Sequence, residues 1–114
     1  MLIQLLRAKV QNLTLTGKDL NYEGSITLGE NILKASGLFE GERVQVLNKN
    51  NGIRLETYII LGKNGEVILN GPAARLGEKG DTLFVLSYGL VSPEEAPTVK
   101  PVVILADEKN NPQK

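Results

Sequence analysis

The chain has no cysteine, no histidine and no tryptophan, and its aromatic residues are two phenylalanines and three tyrosines. Without cysteine there can be no disulfide, no thiolate nucleophile and no Cys-ligated zinc. Without histidine the usual near-neutral general base and the commonest transition-metal ligand are missing. Charge of one sign is lacking too: 13 Lys and Arg balance 13 Asp and Glu. A nucleic-acid or anionic-membrane binder needs a basic surplus, and single-stranded nucleic acid also wants aromatic stacking surfaces. Neither partner is expected. Apolar runs are short. Met1 to Leu6 falls below the roughly 7–15 apolar residues of a signal core and the ~20 of a membrane span. A soluble cytoplasmic protein is expected. Its chemistry must run on Ser, Thr, Tyr, Lys, Arg, carboxylates and the backbone, or on a group made from them.

What the chain has is punctuation: 12 Gly and 5 Pro spread along its 114 residues. Short β-rich runs lie between them. Leu13 to Thr16 alternates as a half-buried strand would, and Ser25 to Leu28 and Val44 to Val46 are further runs. Asn51-Gly52 is a strong hairpin signal, with Arg54 to Leu61 returning as a strand. Glu66 to Leu69, Thr82 to Tyr88 and Val99 to Ala106 complete the set. Helix signals are few. Glu30 to Ser36 is followed by Gly37 as a C-terminal cap, Pro72 to Leu76 suits one turn, and Ser92-Pro93-Glu94-Glu95 reads as the start of a short helix. Many short strands and few helices predict a mainly β domain, closed or nearly closed as a barrel, over residues 1–107. The polar, proline-containing residues 108–114 are expected to fray as a C-terminal tail.

Three segments carry more than local structure: Asn21-Tyr22-Glu23-Gly24-Ser25-Ile26-Thr27, Asn51 to Tyr58, and Leu69-Asn70-Gly71-Pro72-Ala73-Ala74-Arg75-Leu76. Their order and spacing, with Lys9 near the start, resemble the aspartate 1-decarboxylase family over essentially the whole chain, up to about Asp107. The resemblance implies a six-stranded double-psi β-barrel with a few short helices. It also implies a homotetramer whose active sites lie between neighbouring subunits. It further implies a zymogen that cuts itself between Gly24 and Ser25, giving a β chain of residues 1–24 and an α chain of residues 25–114. The α chain would begin with a covalent pyruvoyl group made from Ser25, with no metal required. That group would take up L-aspartate as a Schiff base and give β-alanine and CO2, supplying pantothenate and coenzyme A synthesis.

The residue types suit that chemistry. A serine hydroxyl can attack the carbonyl carbon before it, against the resonance of the peptide bond. Glycine at position 24 allows unusual dihedrals and leaves its carbonyl open. By resemblance, Thr57 and Asn70 serve processing, with Thr57 donating to the oxyanion and also touching substrate. Tyr58 is the proton donor to the carbon left when CO2 departs. Lys9 and Arg54 bind the substrate carboxylates, Tyr22 lies beside the substrate, and backbone at Gly71, Ala73 and Ala74 lines the pocket. Two places depart from many relatives. Gln11 and Asn12 stand where His-Arg is common, so no imidazole is available there, and Pro72 replaces an alanine and removes an amide donor. Taken without the resemblance, the residues leave open a non-catalytic β-barrel acting as a binding or structural module.

Overall fold

The computed structural model describes residues 1–113. Strand β1 runs over Ile3–Thr14, much longer than the alternation at Leu13 to Thr16 predicts. The reason is a pair of register irregularities, between Leu6 and Ala8 and between Val10 and Leu13. In the second, Asn12 takes φ 64, a left-handed value that asparagine tolerates better than most residues with a side chain. The extra residue lets Val10 and Leu13, three apart, both face the core, so a strict period of two is hidden in the sequence.

The remaining strands are β2 (Gly17–Asp19), β3 (Ser25–Gly29), β4 (Arg43–Asn48), β5 (Arg54–Gly62), β6 (Val67–Asn70), β7 (Thr82–Val91), β8 (Val102–Ala106) and β9 (Pro112–Gln113). They form one ladder in the order β2-β6-β3-β5-β4-β7-β1-β8-β9. The pairs β2/β6, β3/β5 and β1/β8 are parallel and the others antiparallel. The fold is mainly β with few short helices, as expected, and consistent with a β-barrel. Among the described residues nine strands are present where six were expected, because short pairings such as three-residue β2 and two-residue β9 join the longer strands. Ile26, Leu28, Ile59 and Leu69 from one half of the ladder meet Val10, Val46, Leu83 and Val85 from the other in a fully enclosed core. Each such side chain contributes roughly 1.5–3 kcal/mol of burial.

Helix α1 (Glu30–Ser36) has the predicted bounds, and Gly37 caps it at φ 77 by donating its N–H to the Leu33 carbonyl at 2.9 Å. The turn expected at Pro72 to Leu76 is a 3-10 helix over Gly71–Leu76. The helix expected to begin at Ser92 does not form there. Ser92 Oγ and Glu95 close a local box, with Glu95 N–H donating to Ser92 Oγ at 3.3 Å, and only Ala96–Thr98 winds into 3-10 turn.

The frayed tail expected at 108–114 is corrected over the described residues. Asn110 takes φ 62 and is buried, its amide accepting from Thr14 N–H at 2.7 Å and donating to the carbonyls of Thr14 and Gly65. Asp107 caps the turn by accepting from Lys109 and Asn111 N–H, and β9 then pairs with β8. Polar composition hid a segment whose side chains satisfy buried backbone. Residue 114 lies outside the described residues.

Candidate active site

Ser25 opens β3 and is completely buried. The antiparallel register sets it opposite Asn70, the last residue of β6. Asn70 Nδ2 donates to Ser25 Oγ at 2.8 Å and to Thr27 Oγ1 at 2.9 Å. Both amide hydrogens are thereby used, and the asparagine is fixed in orientation. Thr27 was not singled out from the sequence. Its signal was available, since residues two apart on a strand share a face.

The parallel pairing of β3 with β5 matches Ile26 to Ile59, which sets Ser25 alongside Tyr58. Gly24, Glu56, Thr57, Tyr58, Pro72, Ala73 and the apolar Leu55 and Leu76 line a hollow of about 400 Å³. Ala74 is fully buried behind it. The hollow is mostly apolar, with the phenol of Tyr58, the hydroxyl of Thr57 and the carboxylate of Glu56 as its polar side chains.

The glycine that the junction requires sterically is Gly71, not Gly24. Gly71 has φ +64, and a Cβ there would lie 2.6 Å from the Tyr22 carbonyl oxygen and 2.8 Å from Gly24 N. The segment Tyr22–Gly24 therefore rests directly on the Gly71 backbone. Gly24 is not among the residues with positive φ, and a Cβ on it would make only ordinary contact, 3.8 Å from Pro72 Cδ. Glycine's freedom to take a left-handed backbone is thus used at Gly71 and not at Gly24. Tyr22 contributes its main chain to this packing, and its side chain is about half exposed at 51%.

Lys9 and Arg54 do not line this hollow. They stand on the outer face of the ladder, on β1 and β5, between inward-facing Ala8 and Val10 in one case and beside inward-facing Leu55 in the other. Lys9 Nζ sits 5.5 Å from the centre of the Phe84 ring, and Arg54 Nη1 donates to Gln45 Oε1 at 2.8 Å. A second hollow on that face, about 290 Å³, is bordered by Gln4, Arg43, Gln45, Glu56 and Tyr88. Only the larger hollow meets the glycine–serine junction. Among the described residues no group of three or more acidic side chains could hold a metal ion, and no helix is long and apolar enough to cross a membrane.

The family described as Aspartate decarboxylase matches residues 1–113. The chain is 46% identical over 113 residues to the aspartate 1-decarboxylase of Christiangramia forsetii and 48% identical over 113 residues to that of Flavobacterium psychrophilum, with 97% of each chain covered in both cases. It is 51% identical over 111 residues to the aspartate 1-decarboxylase of Salinibacter ruber, covering 96% of this chain and 76% of that one.

Proposed function

The chain belongs to the aspartate decarboxylase family, and from that premise we propose that it converts L-aspartate to β-alanine and CO2 through a pyruvoyl group cut from its own backbone at Gly24–Ser25. The observation that carries the reading is the bond from Asn70 Nδ2 to the buried Ser25 Oγ beside the hollow that holds Thr57 and Tyr58. In self-cleavage, the Ser25 oxygen bonds to the Gly24 carbonyl carbon and the C–N bond breaks, moving the acyl group from nitrogen to oxygen. Asn70 holds that oxygen by one lone pair. Thr57 supplies a hydroxyl for the transient oxyanion, where a preorganised donor has its largest effect. Loss of a proton from Ser25 Cα then expels residues 1–24 as a carboxylate and leaves a dehydroalanine. One water releases ammonia and leaves the ketone.

The neighbours suit such a group: the Asn70 amide and Thr27 hydroxyl that face position 25 are uncharged and would not compete as nucleophiles at neutral pH. Once formed, the pyruvoyl group supplies the electron sink that lets the α-carboxylate depart. Lys9 and Arg54 bind the two carboxylates, Arg54 with a planar fork suited to two parallel hydrogen bonds. Tyr58 delivers its phenolic proton to the carbon that CO2 leaves. Small Ala73 and Ala74 and the bare Gly71 keep the backbone close to the reacting centre, and Tyr22 flanks it. That neither Lys9 nor Arg54 lines the hollow at Gly24 supports a homotetramer in which each site is completed by a neighbouring subunit. The setting is the cytoplasm, in the supply of β-alanine for pantothenate and coenzyme A.

The test is the intact mass of fully aged protein, followed by a carbonyl reagent. Two fragments, 1–24 and 25–114, with only the larger one reacting, are expected, together with β-alanine formation from aspartate. A single uncut chain, or a larger fragment with an ordinary amino-terminal serine, would sink the proposal.

A further inference from the structure

Ion pairs occupy several cations of this chain. Among the described residues they are Arg7–Glu42, Lys18–Glu78, Lys34–Glu30 and Arg43–Glu56. Lys9 and Arg54 are in none of them. For Arg54 a carboxylate is near at hand, because Glu56 lies two residues on along β5 and shares its face. Glu56 is taken instead by Arg43, whose Nε and Nη2 reach Glu56 Oε2 at 3.1 and 3.0 Å. Arg54 donates to an amide, the Oε1 of Gln45, and the Tyr88 hydroxyl reaches the same oxygen at a longer 3.3 Å. The register explains the geometry: Gln45 pairs with Glu56 and Leu47 with Arg54, so the Gln45 side chain is the diagonal neighbour of Arg54. Leu47 also pairs with Phe84, the residue whose ring carries Lys9 Nζ at 5.5 Å.

We propose that Gln45 and Phe84 are positioning residues that hold Arg54 and Lys9 in place without neutralising them, leaving both charges for the two carboxylates of the substrate. The proposal rests on the reading of Lys9 and Arg54 as carboxylate-binding residues. The physics is the same at both positions. An amide oxygen fixes the plane of a guanidinium by one hydrogen bond and adds no net charge. An aromatic face attracts an ammonium through its quadrupole and likewise brings no counter-ion. A carboxylate at either place would orient the cation equally well but would compete with the incoming substrate for it.

The deciding substitution is Gln45→Glu, compared with Gln45→Met, which removes the acceptor and adds no charge. Binding of succinate, a dicarboxylate with no amine to react, is measured by calorimetry on the whole processed protein, beside KM and kcat for L-aspartate. Gln45→Glu should weaken succinate and raise KM roughly 2–5-fold, with kcat held within about 2-fold, as expected when an exposed charge pair captures the cation. Gln45→Met should shift both by less. At the other cation, Phe84→Leu should raise KM and Phe84→Tyr should keep it. Equal effects of Glu and Met at position 45 would reduce Gln45 to a packing role and overturn the proposal. So would unchanged succinate binding in both Gln45→Glu and Phe84→Leu, or a fall in kcat with KM unmoved. If Gln45→Glu gives no cooperative melt, the Phe84 pair decides alone. Wild-type protein that binds succinate but releases no CO2 from aspartate would sink the decarboxylase reading while the binding comparison still judges this one. Wild-type protein that binds neither ligand overturns both.

Discussion

Asn70 is where the residue scale matters most, because one side-chain nitrogen serves two hydroxyls at once. A buried donor left without its acceptor costs about 1–3 kcal/mol, so each partner holds the amide in place for the other. Thr27→Val keeps the shape and removes one acceptor. The expected outcome is a lower melting temperature and slower self-cleavage, followed by mass spectrometry over time, because the freed amide no longer points steadily at Ser25 Oγ. Cleavage at the wild-type rate would mean that Asn70 needs no help from Thr27. Most of this constellation was legible in the sequence through its three segments, which supplied Ser25, Thr57, Tyr58 and Asn70 by family pattern. Thr27 was not, since its hydroxyl gains meaning only when β6 is known to lie beside β3. Gln45 and Phe84 were hidden for the same reason: they reach Arg54 and Lys9 through cross-strand pairing that single-chain spacing does not reveal.

At the scale of elements, the placement of Tyr22–Gly24 depends on how β6 passes into the 3-10 turn that follows it. Gly71 combines φ +64 with backbone contacts that no side chain could share. Gly71→Ala therefore meets two penalties, a left-handed backbone and a clash with the Tyr22 carbonyl, on the order of 1–3 kcal/mol for the backbone alone. The segment Tyr22–Gly24 must lift away, so self-cleavage should stall in Gly71→Ala. Gly24→Ala, with room for its methyl group, should fold normally and retain more cleavage. The reverse ranking, read from intact masses after equal incubation, would contradict the packing described. Local rules read α1 and the β4–β5 hairpin correctly, because Gly37 and Asn51-Gly52 act within a few residues. They failed at β1, where a bulge at Asn12 shifts the apolar phase. They failed again at 107–113, where Asn110 is bonded to Thr14 and Gly65, residues far away in sequence. Both failures come from long-range partners overriding local preference.

On the scale of the whole molecule, two polar arrangements tie distant parts together. Arg7 on β1 grips Glu42 with its Nη2 at 2.7 and 2.6 Å from the two carboxylate oxygens, and Ser87 on β7 and the Phe39 N–H donate to the same carboxylate. Burial works against the charged form of Glu42, but the Ser87 hydroxyl, the Arg7 guanidinium and the Phe39 N–H together outweigh it and hold the group below its ordinary 4.5. The folded state thus binds this proton less readily than the unfolded one. Its stabilisation is complete above 4.5 and disappears as pH falls through the lowered folded value. Melting temperature should accordingly drop more steeply from about pH 5 downward in the wild type than in Glu42→Gln, and parallel slopes would remove Glu42 from the acid response. The second arrangement is the placing of Ser25 inside and of Lys9 and Arg54 outside. Ser25 is enclosed beside β5 and β6, while Lys9 and Arg54 stand on the outer face of the ladder, where Val103 and Leu105 of β8, paired with Lys9 and Gln11, are exposed apolar residues. Apolar side chains in solvent next to unpaired cations suit a surface that another copy covers. If each site takes Ser25 from one chain and Arg54 from the next, then Ser25→Ala and Arg54→Ala chains, each inactive alone, should regain activity when co-expressed. Random assembly gives about one quarter of such sites both intact halves. Activity near that level is expected in the mixed oligomer, whereas none at all, with mixed oligomers verified by mass, would place both residues in the same chain's site and demand a rearrangement of this fold to join them.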